Sequence, residues 1–151
     1  MRHKNAERKH FIAPIDETTP ETMPSEFLPL ALYITNIEAN NTEESESTAY
    51  YHGDGTPEQS ILSIAKGYNV TGERYYGDPA QDLIADMEGE LGEGRKLWHK
   101  VVRADGKQEF VGVATVSDIV ADGGAAAANE AFSCTITFDE YPEKTEVTPA
   151  G

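Results

Sequence analysis

The stretch that decides the fold is FSCTITF at residues 132–138, near the C-terminal end of the chain. Apolar side chains at Phe132, Cys134, Ile136 and Phe138 alternate there with small polar ones. A strand with this period of two places one face on a core and the other toward water, as is typical of antiparallel sheets. The sequence therefore predicts a protein built around an antiparallel sheet.

Two further strands come before it and are joined by a tight turn. Residues 97–103 (LWHKVVR) and 110–116 (FVGVATV) are rich in β-branched and aromatic side chains. Between them, ADGK at 104–107 contains the Asp-Gly pair that favours a hairpin turn. We therefore expect these two segments to pair with each other.

The alternation over residues 61–76 is unusually long. Sixteen residues at ~3.3 Å each reach roughly 50 Å, well beyond a strand of about five or six residues. Gly67 and Gly72 are expected to mark bends or bulges within it. Such a strand overshoots one small domain, so something else must cover it. Its two faces are Leu62, Ile64, Tyr68 and Val70 on one side, and Ser63, Ala65, Asn69, Thr71 and Glu73 on the other.

One helix is predicted after this strand. Asp78 can cap it, Pro79 occupies the first helical position and Gln81 completes a pattern similar to a capping box. An apolar stripe at helical spacing follows and should lie on a sheet face or close the end of a sandwich. Its members are Leu83, Ile84, Met87 and Leu91.

The pattern as a whole predicts a mainly β protein, an antiparallel β-sandwich or partial barrel with one α-helix and an extended N-terminal arm. Residues 1–28 are rich in Pro, Thr and Glu and are interpreted as the arm, 29–142 as the domain and 143–151 as a frayed C-terminal tail. The expected core within one subunit is Leu62, Ile64, Leu83, Met87, Phe132, Ile136 and Phe138.

Charge divides the chain unevenly. The 151 residues hold 12 Lys and Arg against 27 Asp and Glu, for a formal net charge of −15. Residues 1–10 contain four of the basic groups and one acid (4 − 1 = +3), so the remainder carries 8 − 26 = −18. An acidic body repels phosphates, which argues against ordinary nucleic-acid binding by the folded part. The basic residues of the arm are Arg2, Lys4, Arg8 and Lys9.

No segment assembles a recognisable catalytic, metal or cofactor site. The four histidines lack metal-ligand spacing, and the lone Cys134 falls on an inward strand face, where a thiol behaves as a small apolar group. No run of about 18 apolar residues and no apolar leader is present, so we expect neither a membrane span nor a secretory signal.

Two other classes of function remain open. A β-sandwich module that binds carbohydrate or protein is one, since aromatic side chains at Tyr75, Tyr76 and Trp98 suit a sugar platform. A small hydrolase using a carboxylate pair, such as Glu73 with Asp54, is the other.

The segments described above together resemble the major tail proteins, or tail tube proteins, of long-tailed bacteriophages. FVGVATVSDI at 110–119 is similar to the G-x-A-x-V-S strand of that family, and it precedes the Gly/Ala loop at 123–128 and the closing NEAFSCTITFD at 129–139. The resemblance covers about 28–142 and is strongest at 108–140. The chain departs from the family at DEYP, residues 139–142, where relatives often have a glycine after the aspartate.

The resemblance implies a structural protein without enzymatic activity or cofactor. Family members form hexameric rings that stack into a hollow tube around a tape-measure protein, and tail terminator and distal tail proteins complete the tail. Long hairpins from all subunits make a continuous β-barrel as the inner wall, and DNA passes through it without specific binding. Such a protein belongs to the virion tail and is assembled in the cytoplasm of the host bacterium.

On this family model, specific residues acquire expected roles. Asn69, Thr71 and Glu73 are candidates for the lining of the bore, where a polar or acidic wall lets DNA slide. Six copies carry 6 × −15 = −90 formal charges, so stacking needs local compensation. Arg2, Lys4, Arg8 and Lys9 are the candidates for contacts between rings.

Overall fold

The computed structural model describes residues 2–15, 22–24, 26–49 and 51–146. Parts of the expected arm (1, 16–21 and 25) and of the expected C-terminal tail (147–151) lie outside the described residues. The elements in chain order are a 3₁₀ turn at Asn5–Glu7, β1 (Lys9–Pro14), β2 (Leu28–Pro29), β3 (Ile34–Ala39), β4 (Thr42–Thr48), β5 (Glu58–Ala65), β6 (Gly67–Glu73), α1 (Pro79–Asp86), a second 3₁₀ turn at Gly92–Arg95, β7 (Lys96–Val102), β8 (Gln108–Val120), β9 (Ala131–Phe138) and β10 (Glu143–Glu146).

A single antiparallel sheet in the order β2-β1-β7-β8-β9-β6-β3 forms the body, and β10 pairs with β8 beside it. The sheet curves so strongly that its two ends approach each other. The Arg8 guanidinium, just before β1, donates to the Ile37 carbonyl of β3 at 3.1 Å, and the rings of His10 and Tyr68 lie 4.8 Å apart. The protein is therefore a half-barrel, and the fold class predicted from the sequence is confirmed.

Strand β9 is central because it pairs with β8 on one side and β6 on the other. Its alternation is the one expected: Phe132 and Ile136 are fully buried, Cys134 and Phe138 nearly so, while Ser133 and Thr135 face the other way and are half-buried. Burial of such side chains is the main stabilising contribution, about 1.5–3 kcal/mol for each large apolar one.

Helix α1 closes one side of the half-barrel. The Asp78 carboxylate accepts a hydrogen bond from the backbone N–H of Gln81, and Pro79 is at the first helical position, as the sequence predicts. The fully buried Gln81 side chain does not complete the capping box with Asp78. Its Nε2 instead donates hydrogen bonds to the backbone carbonyls of Leu32 and Glu73. The helix ends at Asp86, so of the expected stripe Ile84 and Met87 are buried, Leu83 is partly buried and Leu91 lies outside the helix in solvent.

The expectation that the two terminal segments are unpacked is wrong for parts of each. Residues 9–14 form β1, where Ile12 is fully buried and pairs with His99 of β7. Residues 143–146 form β10 along the start of β8. Both are short strands whose partners are distant in sequence, so their local composition carried no sign of the pairing.

The expected long strand at 61–76 exists as two strands with a break at Lys66. Gly72 stands opposite a register shift between Ile34 and Asn36, as a bulge marker should. A Cβ atom at Gly72 would lie 2.4 Å from the Tyr33 carbonyl oxygen, so the close approach of the β3 backbone requires glycine there.

The assignment of Leu62 and Ile64 to the subunit core is wrong. Their side chains are 61% and 50% exposed, because β5 pairs only with β4 and no helix or second sheet packs on it among the described residues. Period-two alternation identified the correct face of the strand but not whether that face is covered. Also among the described residues, no helix has the length and apolar composition needed to cross a bilayer.

Candidate assembly surfaces

The β4–β5 pair is the outer half of one continuous hairpin. Pairing runs from Ile37 with Val70, through Glu38 with Asn69, to Thr42 with Ala65 and Glu44 with Ser63. The two residue numbers of each of these pairs add to 107. The pairing therefore continues without an inserted or skipped residue from β3 into β4 on one strand and from β6 into β5 on the other. The Asn40 amide donates to the Gly67 carbonyl at 2.8 Å and maintains the pairing across the junction.

Because the register is unbroken, the two faces of the sheet continue onto the projecting hairpin. The core face, with Val70 and Tyr68, continues to Ile64 and Ile61, and a bulge opposite Ser45 adds Leu62. The side chains of Ile61, Leu62 and Ile64 are each at least half exposed. An apolar pattern thus extends beyond the core of its own subunit.

The opposite face of the hairpin continues the polar face of the sheet. It carries Thr42, Glu44, Glu46, Glu58 and Ser63, all exposed. Residues 42–65 contain five carboxylates and no lysine or arginine. The hairpin is therefore amphipathic and strongly acidic at the same time.

The candidate bore residues lie together on the polar face of β6. Thr71 and Glu73 are exposed and Asn69 is half-buried. The Thr135 hydroxyl of β9 donates to Asn69 Oδ1 at 2.9 Å, so the row extends across neighbouring strands. Strands β3, β6 and β9 contain no lysine or arginine, which leaves this region polar and without positive charge.

The four basic residues near the N-terminus do not share one environment. Arg2, Lys4 and Lys9 are exposed. Arg8 is half-buried, and its guanidinium donates within its own chain to Asn5 Oδ1 (3.0 Å), His10 Nε2 (2.8 Å) and the Ile37 carbonyl (3.1 Å). Arg8 therefore ties the N-terminal segment to the edge of β3, while the other three cations remain on the surface.

A buried pair of histidines continues this chain of contacts, and sequence reasoning missed it. Because a guanidinium only donates, His10 accepts at Nε2, carries its proton on Nδ1 and donates to His99 Nε2 at 3.2 Å. The proton on His99 Nδ1 then has no partner among the described residues. The two residues are 89 positions apart, so no local spacing signalled their contact.

Burial keeps both imidazoles neutral. Desolvation, reinforced by the positive charges of Arg8 and Lys66, lowers the pKa of His10 from 6.5 to about 3. Desolvation, with His10 and Lys66 as smaller causes, lowers the pKa of His99 well below its usual range. Phe138 stacks on the His99 ring at 5.1 Å, which leaves the imidazole in an apolar setting.

This pair predicts a stability loss in acid. Unfolded histidines bind a proton near pH 6.5 and the folded ones do not, so stability is complete above that pH and falls as the pH drops toward 3. The loss from His10 alone reaches roughly 5 kcal/mol at most, at about 1.4 kcal/mol per pKa unit. We expect the free energy of unfolding of His99→Leu, measured by urea denaturation, to rise relative to the parent as pH falls from 7 to 4. His52→Gln in the exposed hairpin turn is the control, and a parallel pH dependence of His99→Leu and parent would contradict the prediction.

The aromatic residues of the alternative binding platform are not brought together. Tyr75 packs 5.2 Å from Tyr33 near the end of β6, and the Tyr76 hydroxyl donates to Glu130 at 2.8 Å. Trp98 lies three strands away in β7, half-buried beside Ala13 and Val113. The carboxylate pair proposed for a hydrolase is also separated, because Asp54 lies in the hairpin turn and Glu73 at the far end of β6.

Cys134 is buried, as its strand face predicted. Burial raises the pKa of its thiol to about 12, so the thiolate that metal ligation or nucleophilic attack requires is suppressed. The structure thus places this side chain in the core.

No model of a known protein family matches the sequence, and no curated protein matches it. Solved structures match along almost the whole chain. A chain of the tail of an empty gene transfer agent (GTA) particle, refined with helical C6 symmetry, is 13% identical over 95% of this chain and 99% of its own, with a TM-score of 0.65.

Two further structures match at similar levels. A chain of the virion of a native GTA particle is 8% identical over 97% of this chain and 100% of its own, with a TM-score of 0.67. A chain of the cap that terminates the tube of the anti-feeding prophage is 9% identical over 97% and 93%, with a TM-score of 0.60. At these identities the likeness establishes the fold, and the resemblance to tail tube proteins read from the sequence is confirmed at that level.

Proposed function

We propose that this chain is a structural protein of a phage-like tail, which assembles with further copies of itself into the wall of a hollow tube. The fold shared with proteins of GTA tails and of a tube cap supports this role. The observation that carries the proposal is the projecting hairpin. It repeats the apolar pattern of the core face, but no other element among the described residues of the subunit covers it.

A second copy supplies what the hairpin lacks. Ile61 and Leu62 are exposed, and the outer edges of β4 and β5 pair with no further strand in the described part of the chain. When neighbouring copies complete a barrel, these side chains become buried and these edges become paired. In a ring the polar face then turns inward, with Asn69, Thr71 and Glu73 on the bore. We propose six copies per ring, by analogy with the C6 symmetry of the GTA tail.

The proposed tube conducts DNA without binding it. A bore without lysine or arginine along β3, β6 and β9 offers no site for phosphate binding with counterion release, so the nucleic acid slides. On this proposal the tape-measure protein occupies the bore during assembly in the host cytoplasm, and terminator and distal tail proteins close the two ends. The role is structural, and requires neither catalysis nor cofactor.

Negative-stain electron microscopy of the purified full chain tests the proposal directly. Rings or hollow rods with a stain-filled centre are the expected result. A compact monomer that persists at high protein concentration would contradict it. Sedimentation at several concentrations gives the same distinction in solution.

The basic N-terminal residues are proposed to join successive rings. Deleting residues 1–10 is a poor test, because it removes the buried His10 from β1. We expect Arg2→Gln/Lys4→Gln, which changes only exposed side chains, to shorten tubes several-fold and leave the melting temperature within about 2 °C of the parent. Arg103→Gln/Lys107→Gln, in the exposed turn between β7 and β8, removes the same charge and is the matched control. Tubes of parental length from the first variant would refute a stacking role.

A further inference from the structure

An apolar groove lies between the two ends of the curved sheet. It is bounded by the N-terminal segment and β1 on one side and by β3 on the other, and has a volume of about 510 Å³. Its lining is largely apolar and includes two cations, Arg8 and Lys9. The large apolar members are Phe11, Leu30, Ile34 and Ile37, and the uncharged polar members include Asn5, Thr35 and Asn36.

The edge of β3 that faces this groove pairs with no other strand among the described residues. Arg8 bridges the two sides of the groove, since its guanidinium donates both to His10 of β1 and to the Ile37 carbonyl of β3. A groove that combines this strand edge with apolar lining residues and two cations suits an extended segment with apolar side chains and carboxylates.

The β4–β5 hairpin carries that combination. Its core-side face presents Ile61, Leu62 and Ile64, and Glu43 stands directly opposite Ile64 on the same face. Glu44, one position on, points to the other face. The groove is lined by no residue of the hairpin of the same chain among the described residues, because continuous pairing from 37 to 44 keeps that hairpin in line with β3 and β6.

We propose that the groove between β1 and β3 receives the β4–β5 hairpin of a second copy, with its apolar residues against the apolar lining of the groove and Glu43 facing Lys9. This inference rests on the proposed function. It identifies the two surfaces of one contact between copies, the groove on one and the hairpin on the other. Charge supports the pairing. With histidines counted as neutral, the formal charge is −5 for residues 42–65 and +3 for residues 1–10, in a protein of −15 overall. A contact between these two segments therefore brings opposite charges together.

A charge swap tests the contact. Lys9→Glu and Glu43→Lys are each expected to raise the protein concentration at which tubes form by about tenfold. The double variant Lys9→Glu/Glu43→Lys should return it to within about threefold of the parent. Lys9→Glu/Glu44→Lys is the matched control: it has the same net charge, but its new lysine lies on the other hairpin face, so no recovery is expected.

A disulfide cross-link provides a readout that does not require tubes. Chains with Leu62→Cys are mixed with chains with Ala31→Cys, an exposed residue of the groove, under mild oxidation, and linked peptides are identified by mass. The native Cys134 is buried and does not compete. The expected result is a link between the two kinds of chain.

The outcomes separate the two proposals. If tubes form but neither the cross-link nor the recovery by the double variant is seen, the groove assignment is overturned and the tube proposal stands. The groove would then have another occupant, such as residues 147–151. A cross-linked pair without tubes would support the groove contact and overturn the tube. Absence of both results overturns both proposals.

Discussion

Replacing Ile136 by asparagine is expected to abolish soluble folding of the chain. Ile136 is fully buried at the centre of β9, between Tyr68 of β6 and Val116 of β8. The change removes the burial of a large apolar side chain and places an amide among the apolar side chains of the core. Together these cost about 4–6 kcal/mol, against a total stability of about 5–15 kcal/mol for a typical domain.

The measurement is soluble yield followed by thermal unfolding monitored by circular dichroism. Ser133→Asn provides the matched control, because Ser133 lies on the same strand but on the half-exposed polar face. That variant should fold with a loss below about 1 kcal/mol. A soluble Ile136→Asn monomer with a cooperative transition near the parental temperature would show that the core is not organised around β9.

Replacing Ile61, Leu62 and Ile64 together by serine is expected to abolish self-assembly and leave the monomer folded. These side chains contribute little to the subunit core, since each is at least half exposed, so the melting temperature should change by less than about 3 °C. In the proposed wall the same three side chains would be buried. Each loses about 1–2 kcal/mol of burial on substitution, a total large enough to remove tubes at any practical concentration.

Sedimentation and electron microscopy distinguish the two effects. Leu91→Ser, which alters an 87% exposed apolar residue outside the hairpin, is the control and should assemble as the parent does. Normal tube formation by the triple variant would mean that the exposed hairpin face is not a contact surface, and the proposed function would lose the observation that carries it.

Local patterns predicted the elements whose partners are close in sequence. The alternation at 132–138, the Asp-Gly turn between β7 and β8 and the cap of α1 at Asp78 all depend on a few neighbouring residues, and each is present in the structure. The two faces of β6 were also assigned correctly, with Tyr68 and Val70 buried. Period-two side-chain geometry is sufficient for such assignments.

What the sequence did not reveal depends on distant contacts or on missing ones. β1 and β10 gain their structure from strands far along the chain, and β4 has a run of glutamates and serines that looks like a solvated loop until β5 pairs with it. The His10–His99 contact required the sheet to curve. Leu62 and Ile64 were misplaced because apolar residues of a subunit interface have the same pattern as those of a core.

The carboxylates of the hairpin also restrain the free subunit. Two hairpins that meet edge to edge in solution bring 2 × 5 = 10 acidic groups together, and charged side chains along an exposed strand are a known protection against indiscriminate pairing. Contacts that place these carboxylates against one another are therefore disfavoured. Contacts that place the hairpin beside positive charge, such as that of residues 1–10 in another copy, are favoured instead.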